Sequence, residues 1–104
     1  MFARNVHLQL KPNTVALFTQ TLEKEIIPML RKQPGFREEV AFVGPNGTEV
    51  FAISFWDSQE KAETYGHVGY PEVLKVLAPV VQGTPLLQSY EVCSSTIPKL
   101  TARA

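Results

Sequence analysis

Cysteine is nearly absent. Cys93 is the only one in 104 residues, which excludes an internal disulfide and a cysteine-based metal cluster within one chain. Set in an apolar stretch, it reads as a small core residue rather than a nucleophile. An excess of either charge is also missing: lysine plus arginine and aspartate plus glutamate number 10 each. The attraction behind nonspecific nucleic-acid binding, or docking on an anionic membrane, is therefore lacking. Histidine is scarce, and His7 and His67 lie far apart with no carboxylate cluster beside them, so no metal is expected. No apolar run reaches membrane-spanning length, and Arg4 interrupts the first residues, so a cytoplasmic, soluble protein is expected. Repeats and Gly/Ser-rich linkers are absent, and no glycine precedes a helix with the spacing of a phosphate-binding loop.

What is present is the patterning of one small domain, expected over residues 1–95, with residues 96–104 as a C-terminal arm that is either disordered or laid across a partner. Phe2, Arg4, Val6, Leu8 and Leu10 alternate with Ala3, Asn5, His7 and Gln9, as the two faces of a strand do. Lys11-Pro12-Asn13 ends it. From Thr14 to Lys32 the residues Val15, Phe18, Leu22, Ile26 and Met29 recur at helical spacing, with Asn13 or Thr14 as N-cap. Pro28 should kink this helix, at a cost of about 3 kcal/mol in a regular one. Pro34-Gly35 stops it, and a strand follows over Phe36 to Val43.

Gly44-Pro45-Asn46-Gly47 predicts a hairpin into a third strand, Glu49 to Trp56. Asp57, with Glu60 three residues on, is the expected cap of a short helix reaching about Tyr65. A break follows at Gly66-His67-Val68-Gly69. A further helix from about Pro71 carries Val73, Leu74, Leu77, Val80 and Val81 on one face. Gln82-Gly83-Thr84-Pro85 ends it, and Leu86 to Ser94 reads as the last strand. The order βαββααβ predicts an α+β fold, a ferredoxin-like plait with a four-stranded antiparallel sheet. Phe51, Ile53 and Phe55 point one way, and Val50, Ala52 and Trp56 the other. Helices cover only one face of such a sheet, so the second apolar face predicts a homodimer.

With Pro34-Gly35-Phe36 opening strand two, Phe55-Trp56-Asp57-Ser58 closing strand three, and the Tyr65 to Tyr70 segment ahead of the last helix, the chain resembles the antibiotic biosynthesis monooxygenase family of dimeric α+β barrels. The resemblance spans about Phe2 to Ser94. It implies two sheets packed into a barrel across a dimer, with a substrate cleft between sheet and helices in each protomer. Members include oxygenases that use neither metal nor flavin, haem-degrading enzymes, and proteins of unknown role. Haem degradation in this family uses a strand-one asparagine, matched by Asn5, a helix tryptophan whose place is taken by Tyr65, and a histidine whose place falls near Lys75. The resemblance therefore brings no axial haem ligand. Phenol-oxidising members use asparagine, tryptophan and tyrosine side chains, and Asn5, Trp56 and Tyr65 supply similar groups.

Oxygenation without a cofactor requires a base to deprotonate an activated phenol or ketone, and donors to hold the anion. Asn5, His7 and Tyr65 are the catalytic candidates, with His7 as base; Phe18, Trp56, His67 and Tyr70 are candidates for binding a small aromatic ligand. Each also has a plainer reading: Asn5 and His7 at a dimer seam, Trp56 as core, Tyr65 with its tip in water, His67 in a solvated loop or a mobile lip. Three functions are left open: an oxygenase acting on an aromatic or polyketide-like compound, a noncatalytic ligand-binding or stress-associated dimer, and an RNA-binding plait, which the balanced charge disfavours.

Overall fold

The computed structural model describes residues 1–98. Strand β1 (Phe2–Leu10) leads into α1 (Val15–Thr21), a π-helical turn (Leu22–Ile26) and α2 (Ile27–Arg31). The hairpin of β2 (Phe36–Val43) and β3 (Glu49–Trp56) follows, then α3 (Gln59–Val68), α4 (Tyr70–Leu77) and β4 (Val81–Glu91). The strands pair antiparallel in the order β2-β3-β1-β4. This is the ferredoxin-like α+β plait that the element order predicts. Of the expected arm, residues 99–104 lie outside the described part. No described helix is long and apolar enough to cross a membrane.

Side-chain direction follows from register, because residues paired across strands share a face. Arg4 pairs with Ser54, Val6 with Ala52 and Leu8 with Val50. These point at the helices, where Leu8, Leu10, Val50 and Trp56 are at most 1 % exposed and join Phe18, Ile26 and Leu77 in one core. Asn5 pairs with Ile53 and His7 with Phe51 on the opposite face, which no described element covers.

Local chemistry shifts several expected boundaries. The helix over residues 15–31 does not simply kink at Pro28: a π turn stands directly before it, and the Ile27 amide reaches back to the Leu22 carbonyl. The turn advances the inward stripe, so Leu30, and not Met29, is the buried residue of the last turn. Thr14 occupies the N-cap without a capping side-chain bond, since its hydroxyl donates to the Lys11 carbonyl. Ser58, not Asp57, caps α3 by accepting from the Lys61 amide; Asp57 instead pairs with Arg37. The Gly66 to Gly69 stretch is no loop but the last turn of α3 and its end. Val81 already belongs to β4, which starts before the Gly83-Thr84-Pro85 segment and takes it up as an irregularity between the His7 and Gln9 pairings. Cys93 lies beyond β4 and is exposed, so it is no core residue.

The hairpin turn forms as its residues dictate. Gly47 adopts φ 75° and donates to the Gly44 carbonyl at 2.9 Å, while Asn46 Oδ1 accepts from the Thr48 amide at 3.0 Å.

Candidate functional site

The covered face of the sheet holds three polar residues where an apolar core would be expected. Arg4, Ser54 and Glu39 sit side by side across β1, β3 and β2. Arg4 is in place because it lies in the even-numbered stripe of β1, between Phe2 and Val6. Glu39 owes its direction to a β-bulge. Phe36 pairs with Trp56, yet Glu38 pairs with Phe55 and Glu39 with Ser54, so Arg37 is the extra residue. Without it, alternation from Phe36 would turn Glu38 inward; with it, Glu39 faces the helices.

These groups line a cavity of about 40 Å³ between sheet and helices, together with Tyr65 of α3 and Tyr70 of α4. The remaining wall is apolar, including Val6, Phe18, Leu22, Leu30, Val73 and Leu77. Arg4 is 5 % exposed, and its Nε and Nη2 find no hydrogen-bond partner among the described residues. Its guanidinium carbon lies 5.1 Å from the Tyr65 ring centre and 4.7 Å from that of Tyr70. Two aromatic faces thus hold the cation in place and leave the Nε and Nη2 donors unused. Gly66 makes room for this seat: a Cβ there would stand 2.6 Å from Arg4 Nη1.

Burial sets the electrostatics. It draws Arg4 below its ordinary value, against the opposing influence of Tyr65 and Tyr70, although an arginine remains a cation in protein interiors. Burial pushes Tyr65 far up, with Arg4 opposing and Glu39 and Tyr70 adding to the rise. Tyr70 is raised by burial and drawn back by Arg4. Both phenols are hydrogen-bond donors at neutral pH. Desolvation lifts Glu39 from 4.5 to about 8.

The residues proposed from sequence divide into separate places. Tyr65, Phe18 and Tyr70 line the cavity. Trp56 is fully buried behind it, stacked on Tyr65 with ring centres 4.7 Å apart and donating from Nε1 to Ser54 Oγ at 2.9 Å. Asn5 and His7 do not join Tyr65, because they project from the opposite face of the sheet. There His7 stacks on Phe51 at 4.5 Å and bonds Glu49 Oε2 at 3.1 Å, while Asn5 Oδ1 is buried without a hydrogen-bond partner among the described residues. His67 is exposed on α3, so it is neither a loop residue nor a lip over the cavity. Arg4, Glu39 and Ser54 were not singled out from sequence. A charged residue within the apolar stripe of β1 was the available signal for Arg4; the bulge that selects Glu39 over Glu38 has none.

Comparison with known proteins agrees with this architecture. The family profile "Antibiotic biosynthesis monooxygenase" matches residues 1–78. Among solved structures, the ActVA-Orf6 monooxygenase of Streptomyces coelicolor, in complex with nanaomycin D, superposes with a TM-score of 0.76 at 19% identity, covering 93% of this chain and 91% of that one. SnoaB, a cofactor-independent oxygenase from Streptomyces nogalater, gives 0.74 at 12% identity, covering 92% and 96%. The NE2512 protein of unknown function from Nitrosomonas europaea gives 0.75 at 15% identity, covering 93% of each chain. Sequence comparison with curated proteins finds no match. With the profile spanning three quarters of the residues and the plait shared with these structures, the chain belongs to the antibiotic biosynthesis monooxygenase family.

Proposed function

We propose that the protein is a cytoplasmic, homodimeric monooxygenase that uses neither metal nor flavin and acts on a small phenolic or polyketide-like compound in the cavity between sheet and helices. One observation carries the reading. A buried cation, Arg4, has unused donors inside an otherwise largely apolar cavity and is flanked by two tyrosines. Such a site stabilises an oxyanion as it forms, because its donors are already oriented and water is excluded. In the reaction envisaged, a phenol loses its proton and the resulting anion reduces dioxygen. One oxygen atom ends on the ring carbon as the carbonyl of a quinone, and the other leaves as water. Arg4 holds the phenolate oxygen, Tyr65 and Tyr70 donate to the oxygenated intermediate, and Phe18 packs on the ring. Trp56 acts from behind by fixing the Tyr65 ring.

Asn5 and His7 take no part in this chemistry. Their face also exposes Phe42, Phe51, Leu86 and Tyr90, at 37–62 %, and is the surface on which a second copy would pack. Oxygen uptake with electron-rich phenols tests the function: turnover in the wild type and its loss in Arg4→Met support it, and no uptake with any phenol that binds refutes it. The second reading is a noncatalytic ligand-binding dimer. The small cavity favours it, since about 40 Å³ admits little beyond water unless the walls part. Binding without oxygen uptake is its signature.

A further inference from the structure

Among the described residues, Glu39 is the ionisable side chain that lines both the inner cavity and a second, surface hollow, a position otherwise held by the apolar Leu74 and Leu77. On the inside it shares the wall with Arg4, Ser54, Tyr65 and Tyr70. Outside, it borders an open hollow of about 340 Å³ formed with Ile27, Arg31, Phe36, Arg37 and Glu38. The chain thus places one carboxyl group between a secluded site and solvent, at the bulge that turns it inward.

We infer that Glu39 is the base of the site, accepting the phenolic proton inside the cavity and releasing it to water through the hollow between α2 and β2. The inference rests on the function proposed above. The step balances simply: the phenol O–H bond breaks, its electron pair stays on oxygen opposite Arg4, and the proton forms an O–H bond on the Glu39 carboxylate. Loss of that proton to solvent restores the base. The geometry separates two roles, since Arg4 sets how far the bound phenol ionises and Glu39 sets how fast.

An ordinary surface carboxylate would be too weak a base for a phenol. Desolvation brings Glu39 to about 8, much closer to the value near 10 of a simple phenol. The charged and titratable groups around it come from every neighbouring element: Arg4 from β1, Tyr65 from α3, Tyr70 from α4, Arg31 from α2, and Arg37 and Glu38 from β2 itself. Neither arginine of the hollow nor Arg4 forms an ion pair with Glu39, so once it is deprotonated, above about pH 8, no fixed cation ties the carboxylate up.

A naphthol, whose neutral and anionic forms absorb differently, is a suitable probe. Mixed rapidly with the full chain at a pH just above the Glu39 value and below its own, it should bind and ionise. Glu39→Gln should bind the naphthol with similar affinity but ionise it on the order of a hundredfold more slowly, with Glu39→Asp or an added small carboxylate restoring part of the rate. Equal rates in wild type and Glu39→Gln overturn the inference while leaving the ligand site intact. Absence of naphthol binding to the wild type overturns both the inference and the proposed function. Carboxyl NMR of the unmodified protein gives a check that needs no variant: Glu39 titrating near 8 supports the inference, and titration in the usual carboxylate range overturns it.

Discussion

The two faces of the sheet are built from the same four strands, residue by residue in alternation, yet they break opposite rules. The covered face buries a cation, Arg4, whose Nε and Nη2 have no partner among the described residues. The open face exposes apolar groups, with Leu86 at 62 % and Phe42 at 55 %. Each departure is costly in an isolated protomer, so each points to something that compensates it from outside: a ligand on one side, a second chain on the other. The comparison also explains why His7 and Arg4, close in sequence, have unrelated surroundings. His7 already has partners in Phe51 and Glu49, whereas the Arg4 Nε and Nη2 have no hydrogen-bond partner among the described residues.

The sharpest contrast should come from the large apolar residues of the two faces. Trp56→Ala removes a fully buried ring and should cost about 3–5 kcal/mol, read as a lower denaturation midpoint. A charge on the open face, Leu86→Glu or Phe51→Lys, should leave the helical signal intact but convert a dimer to a monomer in sedimentation. A wild type that sediments as a monomer would remove the reason for the exposed aromatic face. Arg4→Met should weaken phenol binding on the order of tenfold to a hundredfold, the worth of a charge-assisted hydrogen bond. The same change should raise stability without ligand, because it deletes an unsatisfied buried cation. Calorimetry with and without phenol measures both.

Glu39 gives an effect that is read only by changing the pH. Its folded value, about 8, stands above the unfolded value near 4.5, so the unfolded state releases the proton first. Stability from this group is complete below about 4.5, declines as pH rises, and is lost above 8. Glu39→Gln should flatten that decline in a series of melting curves. Smallest of all should be the stability change in Gly66→Ala. A gain of up to about 1 kcal/mol in helix propensity is set against displacement of the Arg4 head group, whose Nη1 would lie 2.6 Å from the new Cβ. Thermal stability should barely move while phenol affinity falls.

Much of the fold is legible because two periodicities run through the chain without conflict. The alternation of β1 and β3, the Asn46-Gly47 turn and the apolar spacing of α4 each have a local cause. The cavity was harder to read. Asn5 and His7 drew attention as the polar residues of β1, but the alternation that makes a strand also assigns them to the face away from Tyr65. Arg4 lay on the inward stripe all along. Glu39 could not be chosen over Glu38, because a bulge is a property of two paired strands and leaves no mark on one. His67 resembled a loop residue because it lies between glycines, yet Gly66 accommodates Arg4 within a continuous helix.

The π turn over Leu22–Ile26 also bears on how this chain should be aligned with others. Phe18 and Leu30 both line the cavity, although twelve residues at about 100° each would leave them roughly 120° apart around a regular helix. An i→i+5 turn contains one residue more than an α-turn. Discounting that residue brings the two side chains to within about 20° of each other. The segment is in effect an α-helix carrying a single-residue insertion. Alignment with a relative whose helix is uninterrupted must open a gap there, or every position beyond it will be matched to the wrong neighbour.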